Sequence, residues 1–144
     1  DVHPSLRFVL LIPDYELSTA KARGVIPKSV PFRDAVFNLS RVALVIDSLT
    51  TGEVDDLGVL MEDRLHQNYR KSLVRQYDIV VAEAEKACAA AVVLSGAGPT
   101  MLAVCREERA AAVRDAMAAV LGSVGVRCDA RFVTADHEGV RRLG

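Results

Sequence analysis

Apolar residues recur along this chain with two different periods, and the places where the period changes mark its elements. Arg7 to Ile12 reads RFVLLI, a short apolar run rich in strand formers and closed by Pro13-Asp14, which predicts a buried strand. Ser18 is placed to cap a short helix over Thr19 to Gly24, and Pro27 stops anything longer. Pro31 stands at a first helical position. Phe32, Val36, Leu39, Val42, Ala43, Ile46 and Leu49 then follow at helical spacing, up to a C-cap glycine at Gly52. Asp55 and Asp56 suit the start of a further helix, where negative charge meets the positive end of the dipole, and Leu57, Leu60, Met61 and Leu65 mark its stripe. A fourth helix is predicted over Leu73 to Ala90, with Tyr77, Val80, Val81, Ala84, Ala87 and Cys88 on one face. Ala91 to Leu94 and Met101 to Cys105 read as a hairpin-like pair of strands around a glycine-rich turn. Glu107 to Leu121 returns to helical spacing with Ala110, Val113, Met117, Val120 and Leu121 inward. Gly122 and Gly125 break it, and Arg127 to Val133 is the last strand.

The order strand, helices, strand, strand, helix, strand describes an α+β fold. It is a ferredoxin-like βαββαβ sandwich whose first crossover has grown extra helices. The 144 residues suit one domain, with no internal repeat, linker or low-complexity tract. The first strand begins almost at once and without a methionine, as expected of a domain cut from a longer protein.

Composition narrows the classes. A net charge of −1 with 26% charged residues excludes a strongly electrostatic partner such as duplex nucleic acid. The longest apolar run, Ala87 to Leu94, is far shorter than the roughly 20 residues a bilayer needs, so no membrane partner is expected. Cys88, Cys105 and Cys128 are odd in number and widely spaced, without a CxxC pair or a His/Cys cluster. Each sits in an apolar pattern and is read as a reduced core thiol, which implies a cytoplasmic location and no metal site.

Three segments carry candidate chemistry. Ser95-Gly96-Ala97-Gly98-Pro99-Thr100 is longer than a tight hairpin requires, and successive backbone N–H groups there can form an anion nest. It is read equally as a turn, since Gly and Pro dominate turns. It is not a P-loop, because no GK[ST] ending follows. Thr19 and Arg23 stand four apart and share a helix face, a hydroxyl beside a guanidinium that suits a carboxylate or phosphate. By itself that pair is an ordinary surface turn. Asp63-Arg64-Leu65-His66-Gln67-Asn68-Tyr69-Arg70 is dense in polar groups where a helix is expected to end. There His66 is a proton shuttle, a ligand donor or a partner for the C-terminal dipole.

Taken together, SGAGPT, LSTAKAR followed by IPKSVPFRDAVFNLSR, and MEDRLHQNYR resemble the homoserine kinase group of the GHMP small-molecule kinases over Phe8 to Val133. Asn68 stands where that group usually has proline. The resemblance implies that residues 1–144 are a GHMP kinase C-terminal domain. It implies ATP-dependent phosphorylation of the hydroxyl of L-homoserine to O-phospho-L-homoserine, on the route to threonine. Thr19, Arg23, His66 and Arg70 would then lie at the substrate site, with Arg23 and Arg70 on the α-carboxylate. Ser95, Gly96, Ala97 and Gly98 would approach the phosphates and brace the nucleotide loop of another lobe. No catalytic base is assigned. ATP and Mg would be bound mainly by an N-terminal lobe that nothing in this chain matches, supplied by the same gene or by a separate chain. Its absence is expected to leave a face exposed for self-association, with a homodimer as one outcome. Two further readings stand beside this one. One is a GHMP kinase for another alcohol, of the mevalonate type; the other is a non-catalytic amino-acid-binding module of the ACT type.

Overall fold

The computed structural model describes residues 1–140, so the last four positions of the expected 1–144 domain lie outside the described residues. Strands β1 (Leu6–Pro13), β2 (Ala91–Leu94), β3 (Met101–Arg106) and β4 (Cys128–Val133) form one antiparallel sheet in the order β2-β3-β1-β4. This is the ferredoxin-like order predicted from the sequence. Side chains alternate across a strand, and the two faces of this sheet found two different cores. Val9 and Leu11 of β1 join Met101, Ala103 and Cys105 of β3 on one face. Leu6 and Phe8 join Leu102 and Val104 on the other.

Helices α5 (Tyr77–Lys86) and α6 (Ala110–Ser123) cover the first face. The five inward positions predicted for α6 are all buried. Helices α1 (Thr19–Gly24), α2 (Phe32–Thr51), α3 (Leu57–Leu60) and α4 (Gln67–Arg70) occupy the expanded crossover. Of these, α3 and the inner edge of α2 close the second core, through Leu57, Val45 and Leu49. Ser18 caps α1, and Gly52 closes α2 in the left-handed conformation at φ 81, both as expected.

The apolar stripe of α2, found by its helical spacing, is largely exposed: Phe32 is 85% exposed, Leu39 72% and Ile46 60%. Spacing reveals an apolar stripe but not whether the same chain supplies its cover. Three expectations need correction. The helix expected from Asp55 to Leu65 is one turn long. The Asp63 carboxylate takes the N–H groups of Leu65, His66 and Gln67, an arrangement that starts a new helix instead of continuing the old one. The helix expected over Leu73 to Ala90 begins only at Tyr77, because Val74 is extended and Gln76 left-handed. It stops at Lys86, and Cys88 then takes φ 72 to turn the chain into β2. Cys88 is consequently exposed and is not a core thiol. Cys105 is buried, and burial, reinforced by Glu108, pushes its thiol up to about 11. Cys128 is half-buried.

Candidate functional site

The loop Ser95–Thr100 leaves the edge strand β2 and returns on β3. Its neck is closed by the Ser95 N–H donating to the Thr100 carbonyl at 2.9 Å, and inside it the Gly98 N–H donates to the Ser95 carbonyl at 3.2 Å. Gly96 (φ 62) and Gly98 (φ 77) both lie in the left-handed region that glycine enters freely, and the Gly98–Pro99 peptide is cis. Their surroundings differ. A Cβ at Gly98 would stand 3.3 Å from Cγ2 of Val74, whereas one at Gly96 would meet nothing within 4 Å. Gly98 is therefore fixed by packing as well as by dihedral. Ser95 and Gly96 are exposed, and Ala97 and Gly98 half-buried.

Helix α1 presents Thr19, Lys21 and Arg23 to solvent and buries only Ala22. It is brought to the loop by Arg70. The Arg70 Nε donates to the Ala22 carbonyl at 3.2 Å, and its Nη1 donates to the Gly96 carbonyl at 3.1 Å. One guanidinium thus joins two of the three segments singled out in the sequence and itself belongs to the third. Two of its five N–H donors are used in doing so.

Arg70 is held where it is by the start of α4. The side chain of Asp63 is only 7% exposed. It accepts from the backbone of Leu65 at 3.0 Å, of His66 at 2.8 Å and of Gln67, and also from the side-chain amide of Asn38 on α2. Burial alone would raise the Asp63 carboxyl, but these donors outweigh it and hold the group below its ordinary value of 3.8. His66 stands at the N-terminal end of α4, not at a helix C-terminus as one reading of the sequence had it. Its Nε2 lies 3.8 Å from Asp63 Oδ2, and its Nδ1 is buried without a hydrogen-bond partner among the described residues.

Asn38, Asp63 and Gln67 carry this arrangement without an individual role expected from the sequence. For two of them a signal was present. Asp63 stands a few residues before a helix start, where Asp side chains cap. Gln67 stands three before Arg70 and so shares its face. Around them, α2, α3, α4 and β2 enclose a groove of about 330 Å³ whose lining includes Asn38, Arg41, His66 and Leu94.

These contacts describe a lobe that presents a glycine-bent loop beside a short basic helix, an arrangement suited to a small anion or phosphorylated group. The family model described as GHMP kinases C terminal matches residues 45–122, and the chain belongs to that family. That membership sets aside the ACT-type reading. The homoserine kinase of Crocosphaera subtropica is 41% identical over 137 residues, covering 95% of this chain and 44% of that protein. The homoserine kinase of Moorella thermoacetica is 43% identical over 139 residues, covering 96% and 47%. The chain spans a little under half the length of the curated relatives it matches. Among solved structures, a homoserine kinase from Cytophaga hutchinsonii superposes with a TM-score of 0.87 at 25% identity, covering 92% of this chain and 42% of that one. A mevalonate kinase from L. major superposes at 0.51 with 20% identity and so shares the fold alone.

Proposed function

We propose that this chain is the acceptor-binding half of an ATP-dependent kinase that phosphorylates the hydroxyl of L-homoserine to O-phospho-L-homoserine, in threonine biosynthesis and in the cytoplasm. The observation that carries this reading is the likeness to homoserine kinases over 95% of the chain, which takes in all three candidate segments together. The geometry supports it. Arg70 holds α1 against the glycine loop, so an acceptor gripped by α1 lies beside the loop that would meet the phosphates.

In this reading Arg23 takes the acceptor's α-carboxylate, joined by the donors of Arg70 that α1 and the loop leave free. Thr19 and His66 contribute further polar contacts. ATP and Mg are held mainly by an N-terminal lobe, and residues 1–144 form the C-terminal domain that completes it. When bound, ATP supplies the phosphoryl group and Mg the charge neutralisation. This chain's part is to orient the acceptor hydroxyl and to line the phosphate end with backbone. Gly96 fits that task, since its backbone is exposed and bent and a Cβ there would meet nothing of this chain. Among the described residues no three of His, Cys, Asp and Glu converge to hold a metal ion, and no helix is long and apolar enough to cross a membrane. The exposed stripe of α2 supports a covering lobe, since the relatives carry about as much sequence again. A homodimer of the chain alone would cover the same stripe.

The carboxylate decides the test. Removing one partner of a desolvated charge pair costs about 2–5 kcal/mol, which is at least about thirtyfold at 1.4 kcal/mol per decade. In a full-length enzyme carrying this lobe, Arg23→Ala should lower kcat/KM for homoserine by that factor while the KM for ATP moves only a few-fold. An acceptor with its carboxylate esterified should be poor for the parent enzyme and little worse for the variant. Equal losses on both acceptors, or a preference for mevalonate over homoserine, would overturn the reading.

A further inference from the structure

One polar side chain in the site segment has no part in the proposed contacts with acceptor or nucleotide, yet it is bonded to the strand that leads into the glycine loop. Strand β2 is an edge strand, and along it alternate N–H groups face away from β3. The Ser95 N–H bonds across the loop neck to Thr100, so the N–H one residue earlier, of Leu94, points to the open edge. Leu94 is buried, and an unmade hydrogen bond there would be expensive. Gln67 supplies the partner: its Oε1 accepts from the Leu94 N–H at 2.7 Å. Three residues on, Arg70 holds the Gly96 carbonyl. Residues three apart on a helix share a face, so one short helix fixes Leu94 and Gly96 while the neck bond fixes Ser95 between them. Asp63 in turn fixes that helix, by accepting the N–H of Gln67 itself.

We propose that Gln67 is a positioning residue for the loop Ser95–Thr100: its side-chain carbonyl takes the place of a missing neighbour strand at Leu94 and so sets where the loop's backbone stands. The role is indirect, since Gln67 touches neither acceptor nor nucleotide in the proposed arrangement. It rests on the kinase reading only for its consequence in turnover. The substitution Gln67→Glu keeps an oxygen at the same reach and can still accept from Leu94, whereas Gln67→Ala cannot.

Two measurements test this. In the 144-residue chain, exchange of the Leu94 amide proton followed by NMR should become about tenfold faster in Gln67→Ala and stay within about twofold of the parent in Gln67→Glu. Amides of α6 in the same samples report any global loosening and should not move. In a full-length enzyme carrying this lobe, Gln67→Ala should reduce kcat about tenfold with the KM for homoserine within about threefold, and Gln67→Glu should recover most of that loss. Unchanged Leu94 exchange in Gln67→Ala overturns the proposal, as does a kcat that follows overall stability instead of the acceptor at residue 67. A parent enzyme that does not phosphorylate homoserine refutes the kinase reading but leaves the exchange measurement to judge the brace.

Discussion

Helices α2 and α6 carry the same kind of sequence pattern and meet opposite fates. In α6, Val113 and Met117 are fully buried and Ala110 and Leu121 nearly so, against a sheet face and α5. In α2 the equivalent stripe, from Phe32 through Leu39 and Val42 to Ile46, faces outward, and only Val45 and Leu49 at its edge reach a core. What holds the N-terminal half of α2 instead is polar. Asn38 donates to Asp63, Arg64 lies 3.5 Å from Asp34, and the guanidiniums of Arg41 and Arg64 stack 3.4 and 3.6 Å from the Phe37 ring. One helix is anchored by apolar area and the other by the site segment itself. The difference teaches that a periodic stripe measures demand for a partner, and that the supply has to be read from the fold.

The comparison is sharpened most by Met117→Ala. Truncating a buried methionine costs about 2–5 kcal/mol, so the urea midpoint should fall steeply; a fall no larger than for an exposed α2 residue would break the contrast. Gly98→Ala carries the test into the loop, because Val74, the side chain its methyl would press, belongs to the α6-side core. Left-handed strain and that contact together should cost about 1–3 kcal/mol. Gly96→Ala, with strain alone, should cost less, and equal melting temperatures for the two would show that Val74 yields.

Asp63 tests the polar anchoring. Its Ala variant should lose about 1 kcal/mol, the usual worth of such a cap. Its folded value lies below 3.8, so the stability it contributes is complete above that pH and is lost as the pH falls through the folded value. A denaturation series between neutral pH and pH 2 should therefore show a limb of falling stability that is shallower in Asp63→Asn. An identical acid limb would mean that the carboxylate does not hold α2 and α4. The smallest effect belongs to Leu39→Lys. In the chain alone it should stay within about 0.5 kcal/mol of the parent, as exposed positions do, and equilibrium sedimentation should show less self-association. A loss comparable to Met117→Ala would show that the stripe is already buried.

Much of this was legible in the sequence, for reasons that differ by region. Strand periodicity at Arg7–Ile12 and helical periodicity at Glu107–Leu121 identify elements whose cover lies within the chain. Ser18 and Gly52 mark ends through local hydrogen bonding and a left-handed dihedral, which depend on few distant contacts. The stretch from Asp55 to Ala90 was read less well. There Asp63 competes with the helix for backbone N–H groups, and Gln76 and Cys88 take left-handed dihedrals that their residue types do not announce. For the candidate site, motif alone nominates Thr19, Arg23, Arg70 and the glycine loop, and of these the structure bonds Arg70 to the loop at the Gly96 carbonyl. The roles of Asn38 and Gln67 were not legible because their partners, Asp63 and Leu94, lie 25 and 27 residues away in sequence. A side chain's role in such a network becomes visible only once the strand edge it serves is placed.

The central claim is that this lobe serves homoserine phosphorylation together with a nucleotide-binding lobe and does not act alone. ADP release from ATP in the presence of homoserine tests it most directly, measured for the 144-residue chain and for a full-length enzyme carrying it. The account predicts homoserine-dependent ADP release from the full-length enzyme and none above background from the chain, despite a cooperative thermal melt of the chain. Turnover by the chain alone, or a full-length enzyme whose ADP release is indifferent to homoserine, would contradict it.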